Sequence, residues 1–392
     1  MRKSTALFFV SLSLYQASNW LQNTTLNFYV YSKAGSTLSV GIVQFLQYLP
    51  LLFLPLFGGI LIDKFDKYRM LLFTQFTLMI LSFLLYSVAK DDINSTLLNV
   101  FCVVVPMGIL KTLDIPLRQT VMAHLVSTDK LRNATSFYST IVNFSRFIGP
   151  FLFGITVSIF SVRSGFLISA LLLIPNVFLL SLLKEHIKSG GKTPTSGNVF
   201  SAISFLLQRK DVRNIFVFVF TVGIFGWFFY VLLPEYIYKI LNLPPSAYGY
   251  LTSLSGVGSV LGSLLPLALK NVYAYTLMKL GILLYAFGTS LWFASLYFYP
   301  LLGLGIFLNG FGLSLFYACA NAQVQIASPR HIKGRILSLY TSIFIGSQPL
   351  SFMIGALIHR YLGIWMTLLC VILVCIILFV FMRRKSPIGT PF

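Results

Sequence analysis

Charged side chains inside long apolar segments are the residues of this sequence best suited to chemistry. Lys111, Asp114 and Arg118 recur at i, i+3 and i+7, so on a helix they share one face within about 60°. Arg146 lies in the next apolar segment. An ionisable residue at the centre of a bilayer costs about 2.5–3.5 kcal/mol on insertion scales, so it usually marks a function or a charged partner. We expect an Asp114–Arg146 ion pair, with Asp114–Arg118 as the alternative.

These charges allow two interpretations. A pair between neighbouring helices would hold the helices together and needs no part in a reaction. A carboxyl group in an apolar pocket has its neutral form favoured, which lets it bind and release a proton near neutral pH. Asp114 and Glu235 are therefore the candidate proton carriers, and Asn143, one turn before Arg146, fits either interpretation.

Uncharged polar and aromatic residues in three apolar segments are of the kinds that a binding cavity would need. The first segment carries amides mostly one helical turn apart, and such a stripe should face protein or water rather than lipid. Aromatic rings in the later segments offer flat surfaces for the rings of a ligand. The candidate cavity residues are Gln16, Asn19, Asn23, Trp227, Tyr230, Asn309, Tyr317 and Asn321.

The segments that must position these residues predict a membrane protein. The chain is 57% hydrophobic and only 10% charged, which excludes an ordinary soluble domain. The apolar runs do not alternate in polarity as β-barrel strands do. We predict twelve transmembrane helices, at 5–31, 37–62, 70–89, 96–123, 133–160, 164–183, 213–240, 246–269, 273–294, 299–326, 334–358 and 363–382.

The distribution of Lys and Arg predicts the orientation of these helices. With the N-terminus inside, 21 of the 29 basic residues lie on the cytoplasmic side and five on the outer side, so both termini are expected to be cytoplasmic. The net charge of +20 does not indicate nucleic-acid binding, because the basic residues form small clusters at the ends of apolar segments. The start, MRKSTALFFVSLSLYQ, lacks a small-residue cleavage pattern, so we expect a retained first helix.

The longest connection divides the predicted helices six and six. It contains SGGKTPTSGN, a flexible stretch, followed by a short amphipathic helix that we expect on the inner membrane surface. Two 22-residue segments, Asn133–Gly154 and Gly334–Gly355, resemble each other and agree with a duplicated six-helix unit. The predicted domains are an N-terminal bundle at 1–183, a cytoplasmic linker at 184–212, a C-terminal bundle at 213–382 and a basic cytoplasmic tail at 383–392.

A charged loop after the second predicted helix, GILIDKFDKYR at 59–69, resembles a loop motif of the major facilitator superfamily. That motif is G-x-L-x-D-[RK]-x-G-[RK]-[RK], and its matching residues here are Gly59, Leu61, Asp63, Lys64 and Lys67, with Arg69 completing the basic pair one place late. The resemblance implies a gate in which Asp63 contacts the start of the eleventh helix, around Gly334 and Arg335. The alternative is a solvated loop that only follows the positive-inside rule.

Further blocks resemble the branch of this superfamily that contains the enterobactin exporter and the macrolide efflux proteins. They are LDIPLRQ (113–119), NATSFYSTIVNFSRFIGP (133–150) and GRILSLY (334–340). Gly149-Pro150 followed by Gly154 is similar to the fifth-helix motif of facilitator antiporters, in which small residues let helices pack closely. The resemblance implies an all-α fold of two pseudo-symmetric six-helix bundles, whose first, fourth, seventh and tenth helices line a central cavity.

No pattern in the chain indicates enzyme chemistry. The four histidines form no HExxH motif, and a Gly-rich phosphate-binding loop that would serve a nucleotide-driven pump does not occur. The four cysteines lack metal-ligand or redox spacing. We therefore predict no catalytic residue, cofactor or metal, and a monomeric, multi-pass protein of the inner or plasma membrane.

Secondary active transport is the function predicted by these patterns and by the resemblance. We expect export of a small amphiphilic organic molecule by alternating access, driven by protons. Intramembrane cations outnumber the acids four to two, which favours an anionic, siderophore-like substrate. The alternatives are efflux of a drug-like or macrolide-type molecule, transport of a lysophospholipid, or import. A rival of another class is a membrane enzyme or sensor that transports nothing.

Overall fold

The computed structural model describes residues 3–52, 65–89, 93–183, 200–269, 272–329 and 332–384, and these residues form helices joined by turns, with no strand among them. In chain order the helices are α1 (Lys3–Ala34), α2 (Thr37–Tyr48), α3 (Lys67–Val88), α4 (Ile93–Leu125), α5 (Leu131–Ile159), α6 (Ser164–Ser181), α7 (Phe200–Gln208), α8 (Lys210–Gly226), α9 (Phe228–Glu235), α10 (Pro245–Ala268), α11 (Ala274–Ala294), α12 (Pro300–Ala327) and α13 (Lys333–Arg384). A π-helical turn, Tyr236–Ile240, continues α9.

Nine helical stretches of the described chain are long and apolar enough to cross a membrane. The 32-residue α1 is not one of them, because its amide and hydroxyl side chains lower its hydropathy. The long α13 holds two helices that meet at Gly363, whose φ of 74° suits glycine. The protein is therefore an all-α membrane protein, and the arrangement of twelve spans in two six-helix bundles stays a prediction.

Two compact units divide the chain, Met1–Thr195 with Asn242–Tyr250, and Ser196–Leu241 with Leu251–Phe392. In the first unit α1 packs against α5 and α6, and α3 packs against α4 and α6. In the second unit α11 packs along α12, and α13 packs against α8 and α11. The short α7 falls in the segment for which the sequence predicts an amphipathic helix.

Paired glycines bring α11 and α12 of the second unit into close contact. A Cβ built on Gly281 would lie 2.6 Å from the Gly312 carbonyl oxygen, and one on Gly312 would lie 2.4 Å from that of Gly281. Gly288 and Gly305 repeat the arrangement at 2.7 and 2.6 Å. These distances leave no room for a side chain, so the two backbones touch at both points.

Candidate functional site

Asp114 pairs with Arg118, four residues along α4, and not with Arg146 on α5 as first expected. The Arg118 Nε lies 2.9 Å from Asp114 Oδ1 and 3.0 Å from Oδ2, and both residues are fully buried. Residues at i and i+4 face each other on one helix, so this pair forms without aligning two helices. The alternative pairing of the sequence analysis is therefore the observed one.

Amide and hydroxyl groups from three other helices of the first unit enclose this ion pair. Gln75 on α3 donates from Nε2 to Asp114 Oδ1 over 2.6 Å. Asn176 on α6 donates from Nδ2 to Gln75 Oε1 over 2.7 Å, and Ser11 Oγ on α1 donates to Asn176 Oδ1 over 2.7 Å. Hydrogen bonds of this kind allow a charge pair to persist in a low-dielectric interior. We call Ser11, Gln75, Asp114, Arg118 and Asn176 the buried network.

The second side of the Arg118 guanidinium is also covered. Its Nη1 lies 3.5 Å from Ser11 Oγ, its Nη2 lies 3.4 Å from Asn176 Oδ1, and its central carbon lies 4.4 Å from the centre of the Tyr15 ring. The buried network therefore joins α1, α3, α4 and α6 through charge-assisted contacts. Because its charged groups are sealed from water, this geometry suits a structural connection better than ligand binding.

Lys111, one turn before Asp114 on α4, belongs to a different set of contacts. Its Nζ lies 3.4 Å from Asn23 Oδ1 on α1, and the side chain is half-buried. Gln47 on α2 donates to the same Asn23 oxygen over 3.0 Å, and Asn23 Nδ2 donates to Tyr48 OH over 3.0 Å. Within the described chain no carboxylate lies within ion-pair distance of Lys111. Among the described residues its ammonium group therefore contacts an amide oxygen rather than an acid.

Arg146 lies against α1 close to this position. Its guanidinium carbon is 5.6 Å from the centre of the Trp20 ring, a cation–π distance. Gly149, nearly one turn further along α5, allows the approach, because its Cβ would lie 2.3 Å from Trp20 Cβ. Lys111 and Arg146 thus contact positions of α1 that are three residues, or about 4.5 Å along the axis, apart.

Two amide oxygens are buried without a hydrogen-bond partner among the described residues: Asn19 Oδ1, on the residue before Trp20, and Gln47 Oε1, on the side chain that donates to Asn23. An unsatisfied buried acceptor costs about 1–3 kcal/mol, so its presence calls for an explanation such as ligand binding. Donor groups of a ligand would satisfy these oxygens, one donor for each, while its anionic group meets Lys111. We call Asn19, Trp20, Asn23, Gln47, Lys111 and Arg146 the cationic cluster.

Three aromatic candidates of the second unit come together with Phe344 on α13. The ring centres of Trp227 and Tyr230 are 5.7 Å apart at an interplanar angle of 22°. Phe344 lies 4.5 Å from the Tyr317 ring and 6.4 Å from the Trp227 ring. Trp227, Tyr230 and Tyr317 are each at most 9% exposed, so the rings largely cover one another.

The Asn309 side chain is bonded to the neighbouring helix α11. Its Nδ2 donates to the Tyr285 carbonyl over 3.0 Å and to Thr289 Oγ1 over 2.9 Å, and its Oδ1 accepts from Trp292 Nε1 over 3.2 Å. The residue is 1% exposed. Asn309 therefore joins α12 to α11, because its amide satisfies buried polar groups on the neighbouring helix.

The remaining polar candidates, Asn321, Gln16 and Asn143, belong to neither the buried network nor the cationic cluster. Asn321 accepts a hydrogen bond from Gln325 Nε2, one turn further on α12, over 2.5 Å. Gln16 is buried in α1, and Asn143 is half-buried on α5. These positions remain candidates from the sequence alone.

Glu235, the last residue of α9, meets a histidine that the sequence analysis did not connect with it. Its Oε2 lies 3.3 Å from His359 Nε2 on α13, and its Oε1 lies 3.6 Å from Lys239 Nζ in the π-helical turn. The acid is 10% exposed and the histidine 14%. The pair is shielded but accessible to water, unlike the buried network.

Part of the predicted gate falls outside the described residues, namely Gly59, Asp63 and Lys64. Lys67 begins α3, and Asp66 caps this helix, since its Oδ1 accepts from the backbone N–H of Arg69 over 2.7 Å. The proposed contact of Asp63 therefore stays a prediction.

The other side of the predicted gate is the first turn of α13. Gly334 is exposed, and a Cβ built on it would have no atom of the described residues within 4 Å. Arg335 is half-buried. The contact of this turn with the loop stays a prediction of the family resemblance.

The Gly149–Pro150–Gly154 motif produces close packing on two sides of α5 within the first unit. Gly149 meets Trp20 as described, and a Cβ on Gly249 would lie 2.4 Å from the Gly154 backbone nitrogen and 2.7 Å from the Pro150 carbonyl oxygen. Gly249 belongs to the segment Asn242–Tyr250, which clusters with this unit. The motif is thus a packing element at both ends, as the small residues predict.

Sequence reasoning missed several residues of these clusters. The omitted residues are Ser11, Gln47, Gln75, Asn176 and His359. Gln75 and Asn176 could have been found as amides within apolar runs, since such groups need partners in a membrane. Gln47, within the predicted span 37–62, carried the same signal, whereas His359 did not, because it lies just beyond the end of the predicted span 334–358.

Comparison with known proteins places the chain in a family. Residues 5–389 match the family described as transmembrane secretion effector. A staphyloferrin A transporter of Staphylococcus aureus (strain NCTC 8325 / PS 47) is 26% identical over 291 residues, which cover 71% of this chain and 72% of that protein.

Solved structures support the same fold. The nucleoside transporter NupG matches with a TM-score of 0.79 at 15% identity, over 98% of this chain and 100% of that one. A bacterial homologue of the iron transporter ferroportin, in an inward-facing state, matches with a TM-score of 0.74 at 15% identity, over 98% and 100% of the two chains. Because the family match spans nearly the whole sequence, the protein belongs to the transmembrane secretion effector family of major facilitator transporters, and it is a multi-pass membrane transporter rather than an enzyme.

Proposed function

We propose that this transporter exports a small amphiphilic organic anion of siderophore type, in exchange for protons. It works by alternating access between two six-helix halves, twelve spans in all, in the inner or plasma membrane. Both termini lie in the cytoplasm, and the working form is a monomer.

The cationic cluster carries the proposal. The four charged residues within the predicted spans 96–123 and 133–160 are three cations and one acid, and the acid is already engaged by Arg118 in the buried network. Lys111 and Arg146 then contact one stretch of α1, at Asn23 and Trp20. The same cluster contains two buried amide oxygens, of Asn19 and Gln47, that have no hydrogen-bond donor among the described residues. A carboxylate with a neighbouring hydroxyl or amide N–H matches this set of groups, because the ammonium and guanidinium groups donate to anions and the amides accept.

Two further observations support the substrate class and direction. The relative from Staphylococcus aureus is named for a siderophore, and the family is described as a secretion effector. The excess of Lys and Arg in alternate loops supports cytoplasmic termini. Protons are the proposed counter-ion because Glu235 and His359 supply a titratable pair that water can reach.

Competition binding to the purified protein tests the substrate class. Dihydroxybenzoate and dihydroxybenzylammonium share a catechol ring and differ in the charge of one substituent. We expect the anion to bind more tightly, and Lys111→Gln or Arg146→Gln to weaken it. Tighter binding of the cation, untouched by either substitution, would contradict the proposal.

A drug-type amphiphile is the second candidate. The cluster of Trp227, Tyr230, Tyr317 and Phe344 favours it, since aromatic faces bind flat or cationic molecules without any need for an anion. Binding of the dihydroxybenzylammonium cation that falls in Trp227→Leu, with the cationic cluster intact, would make this candidate the better one.

A further inference from the structure

The C-terminal end of α9 is built around an acid in an unusual position. Glu235 is the last residue of α9, and the chain continues directly into the π-helical turn. Turns of this kind occur frequently at functional sites. Because Glu235 is largely buried, its ionised form needs nearby positive charge.

His359 supplies that charge from α13. Phe228 at the start of α9 packs on Gly355, and Glu235 at its end meets His359, so the two helices run side by side to the contact. The two facing atoms, His359 Nε2 and Glu235 Oε2, are 3.3 Å apart. Gly363, at which α13 breaks, follows His359 by one turn. The Glu235–His359 contact thus lies beside two departures from regular α-helix, the π-helical turn after Glu235 and the break at Gly363.

The other charged and titratable groups on the surrounding elements are exposed, engaged by other partners or far along their helices. Lys239 approaches Glu235 Oε1, but its side chain is 67% exposed. The Tyr236 hydroxyl is engaged by Ser295 and the Trp292 carbonyl. Arg360, next to the histidine, is exposed.

More distant charges lie at the far ends of their helices. Lys210, Asp211 and Arg213 are at the start of the span Lys210–Ile240, at least 22 residues before Glu235, or about 33 Å along a helix. Lys279 precedes Trp292, which contacts the π-helical turn, by 13 residues, or about 20 Å. The described part of α12 contains no charged residue.

We propose that the Glu235–His359 pair is the site at which the transporter binds and releases the exchanged proton. A proton from water binds the imidazole, and the imidazolium N–H donates to the Glu235 carboxylate, which holds the end of α9 on α13. When the proton returns to water on the other side, the attraction is lost and this end of α9 is released. The inference rests on the proposed proton-driven export. It replaces Asp114 as a proton carrier, because the buried network has no contact with water.

Proteoliposomes that hold the full-length protein test this role with two assays. Counterflow of labelled dihydroxybenzoate without a pH gradient measures substrate exchange, and accumulation under an imposed pH gradient measures coupling. We expect His359→Gln and Glu235→Gln to keep counterflow and to lose gradient-driven accumulation by about tenfold or more. His359→Arg keeps a fixed positive charge at the contact, so it should fold as the wild type and be uncoupled as well.

His124→Gln is the matched control, because His124 is an exposed histidine at the end of α4 whose Nδ1 lies 2.8 Å from the Thr120 carbonyl oxygen. It should retain both activities. Accumulation in His359→Gln or His359→Arg equal to that of the wild type would overturn the inference.

A measurement without substrate separates this inference from the proposed function. Hydrogen–deuterium exchange of Phe228–Ile240, corrected for intrinsic rates, should be slower at about pH 5.5 than at about pH 7.5 in the wild type, and this difference should vanish in His359→Gln. An equal pH response in both proteins would reject the pair as the proton site. If the wild type shows no counterflow of dihydroxybenzoate, the proposed substrate class fails, while hydrogen exchange still decides the role of the pair.

Discussion

Arg118 Nε lies 2.9 Å from Asp114 Oδ1 in a place that water does not reach. Because the partners occupy one helix, the bond itself does not fix the fold. The surrounding amides from α3 and α6 and the hydroxyl from α1 turn it into a junction of four helices. As a consequence, the stability of the folded protein should respond differently to the loss of one charge of the pair and to the loss of both.

Removal of one member of this pair should destabilise the protein more than removal of both. Asp114→Asn or Arg118→Gln leaves a buried charge uncompensated, at a cost of about 3–5 kcal/mol. The double substitution removes both charges and should recover part of the loss. Thermal unfolding of the detergent-solubilised variants measures this order. A double variant that is less stable than either single variant would contradict it.

Neutralisation of the cationic cluster should weaken anion binding without unfolding the protein. Lys111→Gln removes a charged donor, and such hydrogen bonds contribute about 1.5–3 kcal/mol, or roughly 10- to 100-fold in affinity. Arg146→Gln should act in the same direction. Isothermal titration with dihydroxybenzoate measures both.

Lys279→Gln is the matched control for these two variants. Lys279 is a half-buried lysine within a span, 5.5 Å from the centre of the Tyr275 ring and in the other unit. Its replacement changes the net charge equally. An equal loss of affinity in Lys279→Gln would mean that general charge, rather than the cluster, attracts the anion.

Enlargement of Gly149 should separate α5 from α1. A Cβ at this position would lie 2.3 Å from Trp20 Cβ and 2.7 Å from the Leu21 backbone nitrogen, so Gly149→Ala forces the helices apart. Overpacking of this kind costs about 1–3 kcal/mol, and the shift also moves Arg146 from the Trp20 ring. Melting temperature and anion affinity should fall together.

Gly303→Ala provides the comparison for that variant. Its Cβ would meet the Leu254 Cδ1 atom at 3.2 Å, and a leucine methyl group can move away. We expect a much smaller change in melting temperature. Equal losses of melting temperature in the two variants would show that the contact between Gly149 and Trp20 is no more sensitive to an added methyl group than other glycine positions.

Neutralisation of Asp63 tests the gate implied by the loop motif. Asp63→Asn should leave membrane insertion intact, because the residue lies at the edge of a predicted span, and should reduce flux at equal abundance. Asp129→Asn, an exposed acid in the short turn before α5, is the control. Normal flux in Asp63→Asn would leave only the solvated-loop interpretation.

The helical class and several packing positions could be predicted because they depend on periodicity and residue size. Gly149 was recognised as a packing residue, and it is one. The partner of Asp114 was harder to predict, since Arg118 and Arg146 were both within reach in the sequence. The choice depends on the residues that surround each arginine in the fold. Arg146 contacts the Trp20 ring, which Gly149 allows to approach α5 closely. Arg118 is therefore the arginine that pairs with Asp114.

Contacts between distant polar groups could not be read from spacing. Asn309 and Asn23 look alike in the sequence, each an amide within a long predicted span. One is fully bonded to α11, and the other joins residues of α2 and α4. The partners of the two amides differ because different helices lie beside them, each at its own register. No local sequence pattern determines which helices become neighbours.

The paired glycines of α11 and α12 constrain how this sequence can diverge. At both contacts a Cβ on either helix would meet the carbonyl oxygen of the other at 2.4–2.7 Å. A replacement on one helix cannot be compensated by a smaller residue on the partner, because the partner is already glycine and its backbone is the obstacle. Relatives that share this packing should therefore keep Gly281, Gly288, Gly305 and Gly312 together, or lose them together as the helices move apart.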